Sequence, residues 1–184
     1  WMRAALAEDA LRLGRILAQL LPSESEVHAL VALMELQVSR NVARLGKNRE
    51  AVLLPDQDRS LWDYAQIQRG MTALEQAQRL GGGAKPYALQ AAIAALHCQA
   101  PRAEDTDWRQ IVGLYDLLSR VQPSPVVSLN RAVAVAMADG PAAGLELMED
   151  LAARNDLESY HLLHAARADL LRRLGRYPEA TEAY

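Results

Sequence analysis

Asp56, Gln57, Asp58, Arg59, Trp62 and Asp63 crowd the segment Leu53-Leu54-Pro55-Asp56-Gln57-Asp58-Arg59-Ser60-Leu61-Trp62-Asp63, which interrupts an otherwise Ala/Leu-rich chain. Asp56 and Asp58 could in principle share acid–base work. Arg59 stands beside them and favours the ionised forms. An ion-paired structural knot therefore outweighs a glycosidase-like pair of carboxylates, and no substrate groove is implied. A helix start needs only one capping oxygen, which Ser60 or Asp58 supplies. The surplus of hydrogen-bonding groups around the large indole of Trp62 implies either a buried polar network that fixes the chain's path or a surface for a partner.

Other side chains with chemical capacity give less. His161 and His164 lie three apart on one helix and can share a face. Zinc requires further ligands, and beyond Glu158 no partner is evident, so a packing or surface role outweighs metal binding. His97 shares a face with Ile93 and Gln90 and reads as a hydrogen-bonded core histidine. Cys98 sits among Ala95, Leu96 and Ala100 with only His97 as a cationic neighbour, which describes a buried, inert thiol. Gly81-Gly82-Gly83-Ala84-Lys85 lacks P-loop spacing and follows a helix rather than a strand, so it reads as a flexible link. There is no Gly-x-Ser-x-Gly elbow and no cysteine set beside a base. No enzymatic activity, cofactor or metal is expected.

Two further polar clusters stand at helical positions. Asp105-Thr106-Asp107-Trp108 reads as a capped helix start with Trp108 packed beneath it, the acids suiting the positive N-terminal pole. Asn130 and Arg131 fall inside a Val/Ala helix, where they are costly unless paired. The expectation is that one of them meets Asp or Gln groups of the 56–63 stretch or the Gln90 helix, in one polar network.

The elements that must position these residues are helices. The chain has 184 residues, 51% hydrophobic, with no Phe and only 5% aromatics, so its core is aliphatic. A net charge of −3 and a pI near 5.8 argue against gripping a nucleic-acid backbone. No apolar run approaches bilayer length. A lone cysteine fits a reducing cytoplasm. The N-terminus reads straight into an amphipathic helix rather than a signal peptide, and both ends look cut.

Periodicity broken by Gly and Pro predicts an all-α fold of about ten helices in antiparallel pairs, with a short extended piece near Ala51–Leu54. The first helix runs from about Arg3 to Leu21, with Leu6, Leu13, Leu17 and Leu20 on one face. The division expected is an N-terminal helical part, 1–80, and helical repeats over 84–184, within one continuous domain. Leu89-Gln90-Ala91-Ala92-Ile93-Ala94, Leu129-Asn130-Arg131-Ala132-Val133-Ala134 and Leu163-His164-Ala165-Ala166-Arg167-Ala168 repeat one another at offsets of 40 and 34 residues. Such a period belongs to helical repeat arrays. The last segment, from Ala168 to Tyr184, looks like a tetratricopeptide unit, in which Gly175 breaks the first helix, Ala180 is the small crossing residue and Tyr184 fills the groove. Arg167, Arg172, Arg173 and Arg176 beside that groove form a candidate basic partner surface.

Taken in order, Leu54-x-Asp56-Gln57-Asp58-Arg59-Ser60-Leu61-Trp62-Asp63, Tyr87-x-x-Gln90-Ala91-Ala92-Ile93-Ala94-Ala95-x-His97, Thr106-Asp107-Trp108-x-x-Ile111-x-x-Leu114-Tyr115, Pro123-Ser124-Pro125-Val126-Val127-x-Leu129-Asn130-Arg131 and Tyr160-His161-Leu162-Leu163-His164-Ala165-Ala166-Arg167-Ala168 form a series. That series resembles the TPR-like C-terminal extension of a subgroup of bacterial extracytoplasmic-function (ECF) RNA polymerase sigma factors. The resemblance covers nearly the whole chain. It implies a regulatory protein-interaction domain that modulates transcription initiation, without the promoter-binding modules. Its implied partners are the sigma factor's own DNA-binding regions, core RNA polymerase or a signalling protein. An alternative is a small-ligand sensor in which Asp58, Arg59, Gln90 and Asn130 line a polar pocket.

Overall fold

In the computed structural model, which describes residues 4–46, 50–154, 157 and 159–183, helix follows helix. Among the described residues there are nine α-helices, against about ten expected. They are α1 (Ala4–Leu20), α2 (Ser25–Val38), α3 (Tyr64–Arg79), α4 (Pro86–Gln99), α5 (Trp108–Val121), α6 (Pro125–Ala138), α7 (Pro141–Ala153), α8 (His161–Arg173) and α9 (Tyr177–Ala183). Pro86, Pro125 and Pro141 each sit in the first turn of their helices, where the missing N–H costs nothing. The expected extended piece shrinks to one bridge between Leu45 and Ala51, and Leu54 already begins a 3₁₀ turn, Leu54–Asp56. The readings placed on the chain ends, including Tyr184, and on Glu158 lie outside the described residues, as do Lys47 to Arg49 of the turn that Gly46-Lys47-Asn48-Arg49 predicts.

The chain forms two compact units, Trp1–Asp107 and Trp108–Tyr184. The boundary falls beyond α4 rather than at the triple glycine, because α4 packs on α2 and α3. In the first unit α2 is the hub, and α1, α3 and α4 all pack against it. Its sequence explains this: SEVHALVALMELQV is apolar nearly all round, and such a helix is stable only when enclosed. Ala29, Ala32 and Leu36 are completely buried. From α3 comes the stripe Ile67, Gly70, Leu74 and Ala77, and from α4 the small face Ala88, Ala91, Ala95 and Cys98. The triple glycine is a packed turn, not a loose tether. Gly81 takes φ 78°, the Gly82 N–H returns to the Ala77 carbonyl, and a Cβ on Gly82 would lie 2.4 Å from the Ser25 Cβ. On α1 the side facing α2 includes Ala7, Leu11 and Gly14, whereas Leu6, Leu13, Leu17 and Leu20 are exposed.

The second unit contains α5 to α9, with α6 packed on α5, α7 and α8. Its core joins Leu129, Ala132 and Ala136 of α6 to Leu145, Met148 and Leu151 of α7 and to Leu163, Ala168 and Leu171 of α8. Gly144 lets α7 press against α6: a Cβ there would stand 2.3 Å from the Ala136 Cβ. The repeated leucine of the three similar helices, Leu89, Leu129 and Leu163, is buried each time. The tetratricopeptide-like end keeps its expected break: Gly175 takes φ 75° and the Arg176 N–H bonds the Leu171 carbonyl. α9 then folds back on α8, with Ala180 half-buried against the core.

Candidate functional site

The 54–63 stretch forms two 3₁₀ turns, Leu54–Asp56 and Arg59–Leu61, before α3 begins. Trp62 closes the second turn and is only 4% exposed. Two guanidinium groups lie over its ring: the Arg59 Cζ is 4.4 Å from the ring centroid and the Arg40 Cζ 5.9 Å. Arg59 does not pair with its neighbour Asp58. Its Nη1 donates to the carbonyls of His97 (2.7 Å) and Ala100 (3.1 Å), at the C-terminal end of α4. A cation there satisfies orphan carbonyls and complements the negative pole of the helix. Asp58 is exposed, and its Oδ1 accepts from Ser60 N–H (2.9 Å) and Ser60 Oγ–H (2.6 Å), which holds its carboxyl below the usual range. The expected ion-paired knot is therefore two separate devices, a turn cap at Asp58 and a helix-end cap at Arg59. Asp63 caps α3 by accepting from Gln66 N–H, while its own N–H bonds the Ser39 carbonyl and ties α3 to the end of α2. Gln57 is nearly buried and donates to the Val52 carbonyl, while Asp56 is exposed.

His97 joins the site through its backbone carbonyl. Burial, reinforced by the charges of Arg40 and Arg59, lowers its ring pKa to about 4, so the imidazole is neutral at pH 7. Burial likewise pushes the Cys98 thiol up, which keeps it protonated and unreactive. Gln90 donates to the Pro86 carbonyl one turn back on α4.

Sequence reasoning missed the arginines of α2's exit. Arg40 is 5% exposed and Arg44 is half-buried. Both donate to the side-chain oxygen of Gln37, at 2.8 and 2.7 Å, and Arg44 also reaches the Gln37 carbonyl. Burial, then the charges of Arg44 and Arg59, lower the Arg40 pKa to about 10, so it stays charged at pH 7. It also missed Glu35, a carboxylate 2% exposed and held by Arg15 of α1 (2.6 Å) and Arg69 of α3 (3.6 Å). The signal was present: a carboxylate inside the apolar run of α2 must find cations, and Arg40 and Arg44 are four apart where that run ends.

In the second unit, Arg131 donates to Asp116 Oδ1 of α5 at 2.6 Å, both side chains being partly exposed. That partner belongs to the same unit, and Asn130 is exposed. Trp108 opens α5 half-buried, directly after the exposed Asp107. An open groove of about 580 Å³ between α8 and α9 is lined by Ala165, Ala168, Asp169, Arg172, Tyr177, Ala180 and Thr181. Of the four candidate arginines, Arg172 pairs with Asp169 at 2.7 Å and Arg176 with Glu179. Arg173 meets Met137 Sδ at 3.5 Å, and Arg167 keeps a buried Nε without an acceptor. The basic character of this surface is partly neutralised by its own neighbours.

Residues 1–78 match the model of a family of unknown function, DUF6596. The chain is 48% identical over 181 residues to an uncharacterized protein of Rhizobium meliloti (strain 1021), covering 98% of this chain and 42% of that protein. It thus spans less than half the length of the curated relative it matches. No solved structure matches it. Among the described residues, no helix is long and apolar enough to cross a membrane. Among the described residues the fold is all-α, with neighbouring helices packed on one another within each unit.

Proposed function

We propose that this chain is the regulatory protein-interaction extension of an extracytoplasmic-function sigma factor, acting in the cytoplasm to modulate transcription initiation. The observation that carries the reading is the ordered motif series from Leu54 to Ala168, which resembles that extension over nearly the whole chain. The helical array and the open α8–α9 groove suit a module that works by contact rather than by chemistry. Its partners are the sigma factor's own DNA-binding regions, core polymerase or a signalling protein. Duplex DNA is not a ligand of the chain itself, whose net charge is −3; a mobility shift with the isolated chain is expected to show no salt-sensitive binding.

The test uses the full-length protein in a reconstituted transcription assay at its target promoter. Deleting residues 160–184, or reversing the charges at Arg172 and Arg173, is expected to change promoter output while the remaining chain stays folded. Unchanged output from a folded variant removes this surface from the mechanism. If the full-length protein fails to capture core polymerase, the sigma-factor reading itself falls.

A further inference from the structure

Three guanidinium groups gather where α2 and α4 end, and the charge there does not balance. Arg59 sits on the terminal carbonyls of α4, Arg44 on the Gln37 carbonyl near the end of α2, and Arg40 shares the Gln37 side-chain oxygen with Arg44. Arg40 and Arg59 both face the Trp62 ring. Two helix C-termini supply roughly half a negative charge each. Three cations against roughly one negative charge leave an excess of about two positive charges.

The nearby acids make their hydrogen bonds elsewhere, although Asp105 also lies within electrostatic reach of Arg59, and Asp56 stands exposed in the preceding turn. Asp58 accepts from Ser60, Asp63 caps α3, and Asp105 forms a two-point pair with Arg102 at 2.9 and 3.0 Å. Among the described residues, no ion pair reaches Arg40, Arg44 or Arg59. Three buried donors also lack an acceptor: Arg40 Nε, Arg44 Nε and the Trp62 indole N–H. Two amide oxygens, Asn41 Oδ1 and Gln57 Oε1, are unpaired as well, but neither carries charge to offset the cations. Burying cations and donors without counter-charge is unfavourable, and an acceptor carrying negative charge would relieve both deficits at once.

We propose that Arg40, Arg44 and Arg59, with the indole N–H of Trp62, form a receptor for one compact oxyanion, a carboxylate or a phosphate. Guanidinium forks match the planar or tetrahedral oxygens of such groups and bind them through two-point hydrogen bonds. Arg44 and Arg59 are half-buried and meet the anion from solvent, while Arg40, at 5% exposure, forms the floor. The carboxylate can belong to an acidic protein segment, and the phosphate can be free in solution. This receptor stands on local charge and geometry and does not depend on a role in transcription.

The test uses the indole as reporter. The chain contains three tryptophans, so Trp1→Phe with Trp108→Phe leaves Trp62 alone. Its emission is titrated with inorganic phosphate and, separately, with hexaglutamate, each at ionic strength matched by sodium chloride. A saturable change with either probe is expected. Saturation by phosphate identifies a free-anion site, and saturation by the peptide alone identifies a site for an acidic segment. Arg44→Gln should weaken binding about tenfold, the loss of one charge-assisted hydrogen bond. Arg44→Lys should weaken it severalfold, since a lysine keeps the charge but loses the fork, and it decides the matter if Arg44→Gln does not fold. The exposed Arg79→Gln variant should bind as the parent does. The proposal is overturned if neither probe gives a saturable change beyond chloride, or if the Arg44 variants titrate like the parent.

Discussion

Replacing Arg59 by Ala separates the two devices that the 54–63 stretch contains. The substitution removes the donor to the His97 and Ala100 carbonyls and the cation lying 4.4 Å from the Trp62 centroid. A hydrogen bond involving a charged group contributes about 1.5–3 kcal/mol, and a partly desolvated cation–π contact about 1–2 kcal/mol. Removing a positive charge near buried Arg40 offsets about 1 kcal/mol of this, by Coulomb repulsion at moderate effective dielectric. The net expectation is a loss of about 2–4 kcal/mol, and a fall in Tm of roughly 10 °C for a protein of this size. Asp58→Ala removes only an exposed turn cap and should destabilise clearly less. Urea unfolding followed by far-UV circular dichroism, with the parent and both variants at one pH and salt, measures the difference. Two results refute the reasoning. One is an Arg59→Ala protein within about 0.5 kcal/mol of the parent, the range of a neutral surface change. The other is an Asp58→Ala protein as unstable as Arg59→Ala, which would mean that the two side chains work as a pair.

Three further outcomes are expected. Arg15→Gln combined with Arg69→Gln strands the buried Glu35 carboxylate at a cost of about 3–5 kcal/mol, while Glu35→Gln costs about 1–2 kcal/mol because both arginines remain hydrated; a urea series that reverses this order contradicts the ion-pair account. Gly144→Ala improves helix propensity yet should lower Tm, because its Cβ would stand 2.3 Å from the Ala136 Cβ and 2.7 Å from the Ala132 carbonyl oxygen; a stabilised variant, read by calorimetry, refutes the close approach. His97 titrates near pH 4 when folded, below its unfolded value near 6.5. Its contribution is therefore fully present above about pH 6.5 and declines as the pH falls towards 4, by about 2–3 kcal/mol on linkage. His97→Gln should flatten this part of the stability-against-pH curve, and an unchanged curve shows that the ring is not the group responsible.

Much of the fold was legible in the sequence because it depends on short-range chemistry. Period-3.6 apolar patterns, prolines in the first turns and Gly175 after α8 specify helices and their ends from neighbours within a few residues. The sequence of α2 carries a like signal that sequence reasoning missed, since a helix apolar nearly all round has nowhere else to go. The clustering of Trp62 and Arg59 with polar groups in excess of any capping need was also visible.

Pairing was not legible. Sequence adjacency joined Arg59 to Asp58, yet the fold carries the guanidinium to carbonyls some 38 and 41 residues away. Arg131 finds Asp116 across the α5–α6 turn, and Glu35 draws its cations from two other helices. A long charged side chain can reach several partners of similar intrinsic strength. The winner is set by which helix ends and buried surfaces lie within its reach, and only tertiary packing decides that. Arg40 and Arg44 looked like ordinary polar residues at the exit of a helix. Burial beside an indole and a second helix terminus, which no local pattern encodes, makes them an unbalanced positive centre.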